Sequence, residues 1–416
     1  MDAAVESFPY ESYLPVDLAA ATLVGRAWRM EPVSGPCVIA LRNGQVFDIT
    51  ASAATMSDLL ESADPVQLAR NAPGELLGPL ERIMENSFDK PGADGGPRLL
   101  APCDLQAIKA CGVTFVVSLM ERLIEERSGG DAAAAQALRA DIQRLVGTDL
   151  HGIRPGSAAA LRLKDDLIRQ GAWSQYLEVG IGKDAEVFTK SQIMSAVGFG
   201  SDIGVLPSSE WNNPEPEVVL AVNSRGVPMG ATLGNDVNLR DVEGRSALLL
   251  GKAKDNNGSC ALGPFIRLFD AGYTIDSVRR EQVRLRIHGE ADGFVLDDIS
   301  DMARISRDPL ELVAQTIGPH HQYPDGFMLF LGTMFSPIQD RGEPGSGFTH
   351  RLGDRVSISS PHLGMLINVV RDATRMPPWT FGVRALYKNL AERGLPAQAP
   401  PGLGTQALNA SMEQGQ

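Results

Sequence analysis

The pattern of apolar and polar positions changes character twice along the chain. Residues 17–28 carry apolar positions at helical spacing and read as a short helix. Residues 38–41 and 46–49 are short apolar runs around Asn43-Gly44. That pair predicts a tight hairpin, because both residues tolerate positive φ. Residues 56–63 and 65–70 read as short helices, and 85–101, rich in Gly, Pro and Asp, as a linker. An amphipathic stretch at 119–126 is interrupted by Ser128-Gly129-Gly130 and resumes in an alanine-rich run at 132–146. From about residue 175 the pattern becomes short β segments between Gly and Pro turns: 218–222, 227–233, 283–288, 327–332, 356–359 and 363–370. A last helix is expected at 383–393, followed by a Pro/Gly/Gln tail expected to be mobile.

The 416 residues, with 43 glycines, 27 prolines and 6% aromatics, fit a turn-rich, β-rich enzyme better than a helix bundle. The expected division is an N-terminal α+β domain at 1–100, a catalytic domain at 101–394 with a helical insert near 119–148, and a tail at 395–416. A net charge of −13 disfavours nucleic acid and anionic membranes as partners. Cys37, Cys103, Cys111 and Cys260 form no metal-type cluster and read as reduced packing thiols. With no 18-residue apolar run and no apolar signal core, a cytoplasmic location is expected.

The chemistry concentrates at Asn212-Asn213-Pro214-Glu215-Pro216-Glu217, which runs into the all-apolar 218–222. Glutamates at i and i+2 of an extended chain share a face. Two carboxylates at the mouth of a buried strand repel each other, and a divalent cation would compensate them. If Val222 pairs with Val227 across the turn 223–226, Glu217 lies opposite Thr232 and Glu215 opposite Gly234. Asp236 then falls just beyond that end. Three converging carboxylates suit Mg²⁺, with Mn²⁺ or Ca²⁺ as alternatives, rather than Zn²⁺. His320-His321 reads as a loop pair with at most a supporting role.

These residues resemble the fumarylacetoacetate hydrolase superfamily over roughly 105–370. The motifs are Glu215-x-Glu217; Asn235-Asp236 with Arg240-Asp241; Lys252-Ala253-Lys254; Gly258-Ser259-Cys260-Ala261-Leu262-Gly263-Pro264; Gly332-Thr333; and Leu352-Gly353-Asp354-Arg355-Val356. The resemblance implies an α+β, mainly β fold: a mixed β-sandwich roll with a smaller N-terminal domain, assembled as a homodimer or homotetramer. It also implies metal binding by Glu215, Glu217 and Asp236.

Carbon–carbon hydrolases of the family use a histidine on the segment that here reads Thr114–Glu121. Glu121 matches their glutamate, but Ser118 stands at the histidine position. A serine without a base does not activate water at neutral pH. Residues 235–264, 329–337 and 347–350 resemble instead the branch of 2-keto-3-deoxy sugar-acid dehydratases. The implied reaction is metal-dependent loss of water from a small 2-oxo acid, foremost 2-keto-3-deoxy-D-xylonate, to 2-oxoglutarate semialdehyde (2,5-dioxopentanoate) in pentose catabolism. The alternative is hydrolysis or decarboxylation of an acylpyruvate or 2-oxo diacid.

Lys254 is the expected base, its pKa lowered by desolvation and a nearby cation. Glu121 is the expected acid, and Glu243 an orienting group. Thr333, Ser259, Arg240, Ser118 and His350 are expected to bind the substrate.

Overall fold

The computed structural model describes residues 8–88, 96–129, 131, 134–135, 153–169, 171, 173–334, 337, 339–342 and 347–395. The expected helix at 132–146 and the tail beyond 395 lie outside them, apart from residues 134 and 135, which are helical.

The strands in chain order are β1 (Leu23–Arg29), β2 (Gly35–Arg42), β3 (Gln45–Asp48), β4 (Glu75–Pro79), β5 (Arg98–Leu100), β6 (Ala107–Gly112), β7 (Glu186–Ser191), β8 (Asp202–Val205) and β9 (Asn212–Asn213). They continue with β10 (Pro216–Val222), β11 (Pro228–Asp236), β12 (Asn238–Leu239), β13 (Cys260–Leu268), β14 (Gln282–His288), β15 (Val295–Asp301), β16 (Phe327–Phe330), β17 (Arg355–Ser360) and β18 (Gly364–Asp372). Among the described residues they form a large sheet, β4-β3-β2-β1-β13-β11-β10-β16-β6-β7 with β5 beside β1. A second sheet runs β15-β14-β17-β18-β8, and β9 pairs with β12 alone.

Strand β10 explains the layering. Val218, Leu220 and Val222 point into a core shared with Val283, Leu285, Val356 and Ile358 of the second sheet. Val219 and Ala221 point the other way, against Leu59, Leu60 and Ala69. The latter come from α1 (Met56–Glu61) and α2 (Pro65–Asn71), capped by Thr55 and Asp64. A strand covered on both faces loses the apolar/polar alternation, which is why it reads as one continuous apolar run. The fold is therefore β-rich, as the composition predicts, and layered as the family resemblance implies.

One expected element is corrected, and two features are added to the expected organisation. Residues 23–29 form a strand rather than a helix: β1 pairs with β2, β5 and β13, and burial on several sides erases its period-2 signal. Hydrogen bonding of the main sheet runs across the expected boundary near residue 100. Leu23 pairs with Arg267, and Arg267 donates to both oxygens of Asp17 at 2.6 Å, so the N-terminal strands continue the main sheet. The helical region is also larger than expected. Beyond α3 (Leu80–Phe88) and α4 (Val116–Ser128) it includes helices Ala158–Arg169 and Gln175–Ile181, the second capped by Ser174. These helices and α4 share a separate core containing Leu119, Leu123, Leu167 and Leu177. No described helix is long and apolar enough to cross a membrane.

Candidate metal centre

The 223–226 turn closes a bulged hairpin. Val222 faces Pro228 and, past an irregularity at Ala221/Val222, Pro216 faces Asn235 and Glu217 faces Gly234. The register differs from the expected pairing, in which Glu217 faced Thr232, for two reasons: Val222 faces Pro228 rather than Val227, and the bulge inserts one further residue into β11. The shift brings Glu215 directly beside Asp236, whose N–H donates to the Glu215 carbonyl at 3.0 Å. Glu215, Glu217 and Asp236 are all buried, and each offers an oxygen within 4.8 Å of the others.

Neighbouring groups hold each carboxylate differently. Glu215 Oε2 accepts from Lys254 Nζ at 2.6 Å, and Oε1 accepts from Arg122 Nη2 at 2.7 Å and Asn238 Nδ2 at 3.1 Å. Burial alone would raise Glu215, but Lys254 and Arg122 outweigh it and hold its carboxyl at about 2. Glu217 accepts the Gly332 N–H at 2.6 Å. Burial, then the charges of Asp236 and Glu215, push it well above the carboxylate range. Asp236 Oδ2 accepts from Lys254 Nζ at 3.0 Å. Its Oδ1 is buried without a hydrogen bond, although Lys190 Nζ lies 2.9 Å away as a charge partner.

A donor set of oxygens only, one of them without a hydrogen bond and one carboxyl driven toward protonation by its neighbours, fits a hard divalent cation. Glu215, Glu217 and Asp236 would hold it.

The cavity above this cluster is lined by Glu121, Arg122, Ser118, Val113, Cys111, Glu186, Phe188, Glu243, Lys254 and Thr333 with the three carboxylates. It has about 20 Å³ for groups of water size, enough for one ion or water. Seven carboxyls (Glu121, Glu125, Glu186, Glu215, Glu217, Asp236, Glu243) meet four cations (Arg122, Lys190, Arg240, Lys254) here. A divalent cation plus one neutral carboxyl would balance that excess.

Several expected residues meet at this cavity. Lys254 ends the helix Leu250–Lys254 and is buried against Glu215 and Asp236. In the metal-free protein its pKa shifts the opposite way from the lowering expected beside a bound cation. Burial lowers it, but Asp236, Glu215 and Glu243 raise it further, so the ammonium is held charged. Glu121 lines the cavity with Oε2 3.3 Å from Arg240. Glu243 sits 2.6 Å from Arg122 as an ion pair without hydrogen-bond alignment. Burial raises its carboxyl, against the pull of Arg122 and Lys254. Ser118 and Thr333 are also in the wall, the Ser118 hydroxyl donating to the Phe115 carbonyl at 2.9 Å.

Three expected substrate contacts do not line the cavity. Arg240 is fully buried, donating to Glu125, Glu121 and the Pro337 carbonyl and stacking 4.1 Å over Trp211. Ser259 donates to the carbonyls of Lys254 and Asn256 and secures the turn after Lys254. His350 pairs with Asp354, itself bound to Arg341, and burial lowers its pKa. Arg240 and Ser259 thus meet protein partners with their polar atoms, whereas His350 Nε2 is buried without a hydrogen bond.

The sequence reading missed Arg122, Glu186 and Lys190. Arg122 bridges Glu125, Glu215 and Glu243 from α4. Glu186 starts β7 and shares a face with Phe188, both in the cavity wall. Burial, then the charge of Glu243, raise its carboxyl to about 7. The signal was Glu186-x-Phe188-x-Lys190, a charged residue at each end of an apolar edge strand, hidden within a region read only as generically β.

No protein-family model matches the chain. Among curated proteins, it is 32% identical over 189 residues to the 2-dehydro-3-deoxy-D-arabinonate dehydratase of Saccharolobus solfataricus, covering 45% of this chain and 58% of that protein. It is 32% identical over 197 residues to a probable 2-keto-3-deoxyxylonate dehydratase of Haloferax volcanii, covering 47% and 63%. The chain thus spans about three fifths of the length of the curated relatives it matches. Among solved structures, a 2-keto-3-deoxy-D-arabinonate dehydratase in its apo form superposes with TM-score 0.58 at 20% identity, over 84% of this chain and 99% of that one. A fumarylacetoacetate hydrolase from Exiguobacterium antarcticum superposes with TM-score 0.50 at 13% identity, over 85% and 100%. The chain therefore has the fold of the fumarylacetoacetate hydrolase superfamily, and its sequence is similar to that of the 2-keto-3-deoxy-pentonate dehydratases.

Proposed function

We propose that the protein dehydrates a 2-keto-3-deoxy sugar acid, foremost a pentonate, to 2,5-dioxopentanoate. The observation that carries this reading is a cavity where three carboxylates and a charged lysine converge while, among the described residues, no histidine lines the wall. Such a site can bind and enolise a 2-oxo acid, but its described wall offers no imidazole of the kind that hydrolysis of a carbon–carbon bond would use. The similarity to two pentonate dehydratases supports the same reaction. So does the fold shared with a dehydratase structure described as a complex with magnesium and 2,5-dioxopentanoate.

When bound at Glu215, Glu217 and Asp236, Mg²⁺ would serve as a Lewis acid for the 2-oxo group and acidify the C3 protons. Lys254, held as an ammonium, offsets the negative charge that develops on the 2-oxo oxygen. Glu186 has a carboxyl near neutrality, matched to take a C3 proton and return it to the departing C4 hydroxyl. Loss of water leaves a 3,4-ene. Moving a proton from C5 to C3 gives the 5-enol, which tautomerises to the aldehyde. Glu121 and Glu243 sit within the same wall as further proton carriers, and Thr333 suits the substrate carboxylate. A pentonate exceeds the present space, so its entry displaces the α4 side chains Ser118, Glu121 and Arg122.

The test is incubation with 2-keto-3-deoxy pentonates and hexonates, with and without chelator, read by mass and by trapping of the new aldehyde. The expected outcome is one product lighter by one water, formed only with divalent metal. Two carbon fragments, or turnover unaffected by chelator, would overturn the reading.

A further inference from the structure

Strand β7 carries a residue for which the proposed reaction has no role. In the β6–β7 ladder Ile108 faces Ser191 and Lys109 faces Thr189, so Lys190 is the extra residue of a β-bulge. Bulges bend a strand and re-aim a side chain, and they concentrate beside active sites. Here the bulge sends a lysine into the interior, where it is 0% exposed. A buried ammonium needs partners for its three N–H groups. Lys190 Nζ donates to the Lys254 carbonyl and, at 3.3 Å, to the Val237 carbonyl. Its charge lies 2.9 Å from Asp236 Oδ1. One side chain from an edge strand therefore touches both the candidate metal ligand Asp236 with its neighbour Val237 and the backbone of Lys254.

We propose that Lys190 is a positioning residue that sets the separation between the metal-binding end of β11 and Lys254. Its ammonium holds Asp236 so that the carboxylate faces Glu215 and Glu217. It also holds the end of the helix Leu250–Lys254 so that the Lys254 ammonium stays between Glu215 and Asp236. Lys190 lies outside the cavity wall and acts through these two residues. The inference rests on the metal reading above.

The sign of its effect separates positioning from simple charge. Deleting a cation beside a metal ligand favours tighter binding of a divalent ion by Coulomb's law alone. Loss of a group that orients a ligand instead weakens binding, typically by about 10–100-fold. The test compares wild type with Lys190→Met, similar in length but without donors, and Lys190→Gln, which keeps an uncharged donor. Mg²⁺ and Mn²⁺ affinities are measured by calorimetry, and Tm is measured with and without saturating Mg²⁺.

Expected are a Kd raised by about tenfold or more in Lys190→Met, a smaller rise in Lys190→Gln, and a diminished gain in Tm from Mg²⁺. Turnover should fall mainly through kcat rather than KM. An unchanged or tighter Kd in folded Lys190→Met overturns the proposal, as does a Tm loss of equal size with and without Mg²⁺. Should neither variant fold, the wild type decides: the ammonium resonance of Lys190 must shift as Mg²⁺ saturates the protein, and its invariance overturns the proposal. A wild type that binds no divalent ion refutes the metal reading itself, whereas equal binding by wild type and variant refutes only the role of Lys190.

Discussion

Glu215 and Glu217 are two residues apart on one strand end, yet their carboxyls shift in opposite directions. Glu215 has Lys254 and Arg122 on its two oxygens, whereas Glu217 faces two other carboxylates and one backbone N–H. Their glutamine variants should therefore differ in metal-free protein. Glu215→Gln leaves the buried Lys254 and the partly buried Arg122 short of a partner and should cost about 3 kcal/mol. Glu217→Gln removes repulsion and should unfold at a higher temperature than wild type. Thermal denaturation in chelator at pH 8 checks both, and both variants should lose Mg²⁺ binding.

The pH dependence follows from the same signs. A carboxyl raised in the folded state, such as Glu186 at about 7 against 4.5, contributes stability that is complete below pH 4.5 and lost as pH rises toward 7. Metal-free Glu186→Gln should thus lose less stability than wild type between pH 4.5 and 7. Its activity should separate it from Lys254→Met and Glu121→Gln. Glu186→Gln should slow both deuterium exchange at C3 of 2-oxobutyrate and dehydration, by about 10²–10⁴-fold. Glu121→Gln should leave the exchange intact. Exchange that survives in Glu186→Gln and vanishes in Lys254→Met would return the base role to Lys254.

At the scale of elements, the site depends on where strands end. Gly332 follows β16 with φ +89° and gives its N–H to Glu217. A Cβ there would lie 2.0 Å from Thr114 Oγ1, a hydroxyl already bound to the Leu331 carbonyl. Gly332→Ala should therefore both strain the backbone and displace the donor to Glu217. The expected result is a folded but less stable protein with weaker Mg²⁺ affinity, measured by calorimetry. Unchanged affinity would show that this amide does not set the Glu217 geometry. Helix α4 contributes in another way, through Arg122. Arg122→Met leaves three carboxylates without their shared cation and should destabilise by about 3–5 kcal/mol near neutral pH. The loss should shrink at pH 5, where protonation relieves the repulsion, and denaturant titration at the two pH values reads the difference.

At the scale of the whole molecule, the excess of carboxylates around the cavity predicts that folding is linked to cation binding. Saturating Mg²⁺ should raise the stability by about 2.7 kcal/mol at a hundredfold excess over Kd. Monovalent salt at equal ionic strength should add little, because the carboxylates are buried and poorly screened. A scan of Tm against Mg²⁺, Ca²⁺ and K⁺ tests this, and equal shifts for all three would remove the case for a specific site.

Local chemistry made much of this legible in the sequence. The Asn43-Gly44 hairpin, the capped helices α1 and α2, the buried run of β10 and the trio Glu215, Glu217 and Asp236 all depend on neighbours within about twenty residues, so spacing alone reveals them. Tertiary structure decided what long-range pairing controls. Whether residues 23–29 form helix or strand depended on β2 and β13. The hairpin register depended on the turn's closing pair and on a bulge, and the continuity of the N-terminal strands with the main sheet depended on the pairing of β1 with β13. The charges of the site were settled in the same way. Lys254 read as a base because desolvation and a nearby cation lower a lysine's pKa, whereas in the metal-free protein two carboxylates within 3.0 Å raise it. Arg240, Ser259 and His350, read as substrate contacts, lie outside the cavity wall, and Arg240 and Ser259 make their hydrogen bonds within the protein. Arg122, Glu186 and Lys190 reach the site from segments about 25–95 residues away from Glu215 in the chain. A titratable group's role depends on the charges around it in space, and spacing along the chain specifies those only for near neighbours.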